Sequence, residues 1–213
     1  LRSRNRGMRK LVRFTTVSMG WLLLLAGRPA HAQDGMVGAT FLTGTRWTVG
    51  YAVNAPSQLV GFSTMVIGRR FAGWGVYADY KLTLDPPSDR PEYDATLSVD
   101  QAVNRFNDRF VGDESAWTTL NLAVVRALTG TLAVYVGGGY SKEKAYRQFF
   151  DAGQARGQYG FYWVDDDDGS GTRVNLLAGV WFRLTESVMV QFGGESAPRG
   201  FTVGASLAVP VVR

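Results

Sequence analysis

Residues 73–82 read Gly-Trp-Gly-Val-Tyr-Ala-Asp-Tyr-Lys-Leu. Trp74, Val76, Ala78, Tyr80 and Leu82 form one interleaved set, and Gly73, Gly75, Tyr77, Asp79 and Lys81 form the other. Successive side chains of an extended chain point to opposite faces. This alternation therefore predicts a strand with one apolar face and one small or polar face. The same period runs through 46–53, 60–66, 119–124, 132–141, 173–183, 188–195 and 201–211. Several of these runs, at about 9–12 residues, are longer than the usual globular strand and match a tilted strand that crosses a membrane.

Two arrangements satisfy such a pattern. In a soluble barrel the apolar set faces an internal core. In a membrane barrel it faces lipid, and the other set lines the interior. The second set decides between them. It carries Arg46, Asp79, Lys81, Asn121, Arg173, Asn175, Arg183, Gln191 and Glu195 among many Gly, Ala and Ser. Small residues with a few mixed charges suit a narrow lumen, whereas a solvated strand face carries more Lys, Glu and Thr and less Gly. The expectation is an all-β chain, an eight-stranded antiparallel up-and-down transmembrane β-barrel, with these nine residues as its polar interior. A secreted soluble β-barrel that binds an apolar ligand remains the alternative.

Composition agrees. A mean hydropathy of −0.07 excludes a bundle of membrane helices, which needs several apolar runs of about 20 residues. The chain has no Cys, so disulfides, thiolate metal sites and a Cys nucleophile are excluded. The net charge of +5 suggests an anionic partner until its position is considered. Residues 1–32 hold a basic start, an apolar stretch around Trp21–Ala26, and Ala30-His31-Ala32. This is the pattern of a cleaved signal peptide, with Met8 a candidate start. Its removal takes seven of 23 basic residues and none of the 18 acidic ones. The remaining 33–213 carries 16 against 18, a net charge of −2, so the case for nucleic-acid binding falls away.

Connections give an orientation. They are short at 68–70, 128–130 and 184–187, and long at about 85–115 and 142–172. Outer-membrane barrels have short periplasmic turns and longer external loops. Eight strands that begin and end in the periplasm place both long segments outside. Aromatic residues then fall into two interfacial belts, Trp47, Trp74 and Phe182 toward the periplasm and Tyr51, Tyr80, Tyr140 and Phe201 toward the exterior.

With the leader, the eight strands and the two long loops, residues 45–212 resemble the small eight-stranded outer-membrane barrels of the OmpA/OmpX/OmpW type in Gram-negative bacteria. The resemblance lies in architecture and pattern. It implies outer-membrane lipid, lipopolysaccharide and the barrel-assembly machinery as partners. One departure is that such barrels usually end in an aromatic residue serving as the assembly signal, whereas this chain ends Val-Pro-Val-Val-Arg.

The chemistry is mostly a matter of absences. Barrel enzymes such as lipid A acyltransferases, omptin proteases and phospholipases resemble one another in needing a catalytic His. The single His of this chain, His31, lies in the leader. Ser-His activation and imidazole metal sites are therefore unavailable in 33–213. No cofactor or catalytic residue is expected. Asp165, Asp166, Asp167 and Asp168, followed by Gly-Ser-Gly, are weak metal candidates because hard cations take oxygen ligands. They do not match the alternating ligand spacing of an EF-hand, and a solvated acidic loop tip is the plainer reading. Residues 85–115 carry eight acidic and three basic side chains. Within them Ser98-Val99-Asp100-Gln101 reads as a capping box. Val99, Ala102, Val103 and Phe106 would then form the stripe of a short helix, although Tyr93, Ala95, Leu97 and Val99 also alternate as a strand would. The expected function is non-enzymatic, a structural or surface-interaction role through two acidic external loops. A narrow channel or hydrophobic-ligand conduit is the alternative.

Overall fold

The computed structural model describes residues 46–68 and 72–210. The signal peptide expected at 1–32 lies outside the described residues. The strands are β1 (Arg46–Ala55), β2 (Leu59–Ile67), β3 (Trp74–Thr83), β4 (Tyr93–Ser98), β5 (Arg109–Ala127), β6 (Leu132–Phe150), β7 (Phe161–Arg183), β8 (Val188–Ser196) and β9 (Arg199–Pro210). All except β4 pair antiparallel with their neighbours along the chain, and β9 returns to pair with β1. The result is a closed eight-stranded barrel. Closure leaves no strand edge in the wall, where an open sheet would have two.

The eight expected strands are all present, and their parity is as read. Trp74, Val76 and Tyr80 are about half exposed, while Tyr77, Asp79 and Lys81 on the same strand are buried. The inversion holds around the wall. Leu122, Val124, Val136, Phe192 and Leu207 are exposed, and their chain neighbours point into the lumen. Burial here means enclosure by the barrel itself.

Small residues make the lumen fit. Gly179 and Gly193 are directly opposed on β7 and β8, and a Cβ on either would collide with the Tyr135 side chain. Two missing side chains thus admit one large ring. At the end with the short turns, Met65, Ile67, Tyr77, Ala123, Val125, Tyr135, Leu177, Trp181 and Met189 pack into one apolar cluster.

The structure departs from the sequence reading in the supposed loops. β5 and β6 each have 19 residues and β7 has 23. Residues 109–115, 142–150 and 161–172 are strand rather than loop, and the connection between β6 and β7 shrinks to 151–160. β3 stops opposite Thr118, and β8 stops opposite Leu177. Beyond those points β5, β6 and β7 continue as a free-standing sheet, about 30 Å long at roughly 3.4 Å per residue. This part carries polar side chains on both faces, so the apolar alternation that marks the wall is missing from it.

The segment before β5 folds against this sheet. β4 runs parallel to β7 and pairs at Tyr93–Trp163 and Ser98–Asp165. The capping box follows. Ser98 N donates to Gln101 Oε1 at 2.9 Å, and Gln101 N donates to Ser98 Oγ at 3.2 Å. It opens a single π-type turn, Gln101–Arg105. Strand and helical signals were both genuine, one after the other. Ala102 seats against Phe149, Tyr162 and Val164, with Leu97 and Val99 beside it.

Candidate functional site

Two regions bear chemistry: the lumen and the external sheet. In the lumen, β3 sends Tyr77, Asp79 and Lys81 inward on one face. Lys81 Nζ lies 2.8 Å from Asp79 Oδ2 and also contacts Glu195 Oε1 from β8. Tyr77 Oη donates to Asp79 Oδ2 at 2.6 Å, and Asn121 Nδ2 to Asp79 Oδ1 at 2.8 Å. Asn175 Nδ2 donates to Asn121 Oδ1 and to Glu195 Oε2 at 2.9 and 3.0 Å. Gln191 Nε2 reaches Tyr77 Oη, and Thr202 Oγ1 donates to Glu195 Oε1 at 2.5 Å. One network therefore ties β3, β5, β7, β8 and β9 across the lumen. Charges held this far from water persist because each is paired and hydrogen-bonded.

Six of the nine interior candidates belong to this network: Asp79, Lys81, Asn121, Asn175, Gln191 and Glu195. Sequence reasoning missed Tyr77 and Thr202. Both sit at inward parity, but neither is charged. Arg183 is buried apart from the network, where it donates to the carbonyls of Thr185 and Glu186 and braces the short β7–β8 turn. The side chain of Arg46 lies outside the described residues. Arg173 is a correction: its side chain is 59% exposed, contacts Glu143 and lies over the Trp117 ring. It shares the parity of Asn175 but sits where β7 has passed the end of β8, so no opposite wall encloses it.

The acidic run is a second correction. Asp165–Asp168 lie within β7 and not at a loop tip. Asp165 takes Tyr93 Oη at 2.9 Å and Lys144 Nζ at 3.1 Å, while Asp166 takes Arg147 Nε at 2.8 Å. Alternation sends neighbouring carboxylates to opposite faces. Among the described residues no group of three or more such ligands is placed to hold a metal ion.

In the external sheet, Arg90 makes a two-pronged pair with Glu114, both contacts 2.8 Å, and this raises its already high pKa further. Arg156 stacks 3.6 Å from the Phe106 ring centroid and lies 3.5 Å from both Asp108 and Asp151. Tyr162 Oη donates to Asp108 at 2.6 Å, and burial together with this bond pushes its phenol up. Tyr93 is raised by burial and by Asp165. A cleft of about 410 Å³ opens among Phe110, Asp113, Glu143, Tyr146, Arg147 and Asp166. Beyond Thr118 the outer edge of β5 has no strand partner among the described residues.

No family model matches the chain, and no curated protein does. Several solved structures are similar to it. The attachment invasion locus protein Ail of Yersinia pestis, in complex with the heparin analogue sucrose octasulfate, is 14% identical with a TM-score of 0.42, over 78% of this chain and 96% of Ail. The same outer membrane protein in a phospholipid bilayer nanodisc is 15% identical with a TM-score of 0.41, over 78% and 98%. The N-terminal β-barrel domain of Pseudomonas aeruginosa OprF is 11% identical with a TM-score of 0.37, over 78% and 96%. The barrel of the present chain rests on its own strand register, and in architecture it resembles the small eight-stranded outer-membrane barrels.

Proposed function

We propose that this chain is a non-enzymatic barrel of the outer membrane that presents an external sheet to a surface partner. The carrying observation is the inversion of the wall: a continuous apolar exterior around a lumen of buried polar side chains. On β3, β7 and β9 the outward apolar positions span about 26 Å of strand at roughly 3.3 Å per residue. At a tilt near 40° that is about 20 Å along the barrel axis, close to the apolar band of a membrane barrel. Exposed Trp47, Trp74 and Phe182 at one end and Tyr80, Tyr140 and Phe201 at the other suit headgroup level. In a soluble barrel this surface would be a large apolar patch in water.

The filled lumen favours a structural and surface role over a conduit. The surface role itself is supported by the free edge of β5, Arg109–Ala116, because an unpaired strand edge accepts an extended segment of a partner. Lipid, lipopolysaccharide and the assembly machinery are the expected membrane partners. Fractionated cells test the reading. The protein should need detergent for extraction from washed membranes and should migrate faster on SDS gels before heating than after. Protease added to intact cells should cut within 151–160 and leave the barrel folded. Release by a detergent-free wash would sink the membrane reading.

A further inference from the structure

Outward positions within the apolar band are uncharged at every described residue except Arg126. This side chain lies one position from the end of β5, directly opposite Trp74 on β3. Its guanidinium lies 5.0 Å from the Trp74 ring centroid and donates one N–H to the carbonyl of Ala72. A guanidinium carries five N–H donors. The others have no partner among the described residues, and neither has the indole N–H of Trp74. Lys81, Arg90, Lys144, Arg147, Arg156 and Arg173 all face carboxylates, but Arg126 faces none among the described residues.

An arginine on the lipid face is costly at the bilayer midplane and nearly free near the interface. Arg126 therefore belongs at the headgroup level, beside the interfacial Trp74 and next to the short β5–β6 turn. The group available there with several acceptor oxygens and a negative charge is a phospholipid phosphate, which suits the planar donor fork of arginine. We propose that Arg126 and Trp74 form a binding site for the phosphate of a phospholipid in the leaflet at the short-turn end of the barrel. Trp74 holds the guanidinium against the wall, Ala72 fixes one N–H, and the donors without a partner among the described residues take the phosphate. The inference rests on the membrane reading above.

Side-chain NMR of the full chain tests it, using protein folded in maltoside micelles, which contain no phosphate. Dihexanoyl phosphatidylglycerol is titrated in, with dihexanoylglycerol as the phosphate-free control. The expected result is a saturable shift of the Arg126 Nε–H and Trp74 indole signals with the phospholipid and none with the control. Arg126→Lys should retain the Trp74 shift at about tenfold weaker affinity, the loss of one charge-assisted hydrogen bond. Arg126→Gln should abolish it. An equal response to both additives, no response, or an unchanged Trp74 shift in Arg126→Gln would overturn the proposal. If Arg126→Gln does not fold, the wild type and Arg126→Lys still decide it. A folded, detergent-requiring barrel that ignores the phosphate refutes this site alone. A protein soluble without detergent refutes the membrane reading.

Discussion

Lys81 on β3 and Glu195 on β8 meet across the lumen, joined side chain to side chain with both essentially removed from solvent. They are 114 residues apart in sequence. The contact depends on closure, because a sheet open between β7 and β8 would leave each charge facing water. Asp79 lies 2.8 Å from the same ammonium, so two carboxylates share a single cation. The remaining lone pairs take Tyr77, Asn121, Asn175 and Thr202.

Removing the cation should therefore be costly. Lys81→Met leaves two buried, uncompensated carboxylates and should destabilise the barrel by about 3–5 kcal/mol. Urea unfolding in vesicles measures the loss. Adding Asp79→Asn and Glu195→Gln to the same chain should recover most of it, because neutral amides keep hydrogen bonds without stranded charge. If the triple variant is no more stable than Lys81→Met, the lumen is held by packing and not by charge balance.

The lumen should also be closed to ions. Tyr77 meets Tyr135 at 5.0 Å and Trp181 at 5.9 Å between ring centroids, and these rings fill the short-turn end. Purified wild-type protein in a planar bilayer should give no reproducible current. Trp181→Ala removes the largest fully buried side chain and should cost about 3–5 kcal/mol in unfolding. Gly193→Val should be damaging for the opposite reason, since its side chain meets the Tyr135 hydroxyl. Steady conductance from the wild type would contradict the packed lumen.

The barrel wall was legible in the sequence because closure imposes a simple rule on alternate residues, apolar side chains outward and small or polar ones inward. Trp74, Val76 and Tyr80 obey it, and the inward parity of Asp79, Lys81 and Asn121 follows from them. The external sheet obeys no such rule. Lys142–Arg147 carry charged side chains on both faces, with Tyr146 alone buried, so the strand is specified by its pairing to β5 and β7, which no local window contains. Arg173 fails for the same reason: its parity is correct, but enclosure depends on where β8 stops. The Ser98–Gln101 capping box, in contrast, was legible because its two reciprocal bonds lie within four residues.

The clamp from Arg90 to Glu114 predicts a local effect. Arg90 also lies over the Trp163 ring at 5.6 Å, and Trp163 N donates to the Glu92 carbonyl. Arg90→Ala should loosen β4 from β7 and leave the barrel nearly unchanged. Hydrogen exchange should accelerate in 85–98, while global unfolding shifts by less than about 1 kcal/mol, as expected of a partly exposed pair. Arg90→Lys keeps the charge but loses the two-pronged geometry, and should behave more like the alanine variant than the wild type.

The external sheet should be sensitive to alkali. Tyr162 titrates above its ordinary value because it is buried and donates to Asp108, with Asp151 and Arg156 the other charges beside it. A folded pKa raised above the unfolded one means that folding favours the protonated phenol. The stabilisation is complete below the ordinary tyrosine value of about 10 and is lost as pH rises through the folded value. Tyr93, raised by burial and Asp165, acts in the same direction at the other edge. Proteolysis within 151–160 should therefore quicken above roughly pH 10, before the barrel itself unfolds. Tyr162→Phe should be cut faster than wild type at neutral pH, having lost the bond to Asp108, but with a flatter alkaline rise. It should also lack one late-titrating phenolate in the ultraviolet spectrum. An identical alkaline profile in Tyr162→Phe would show that another group controls the opening.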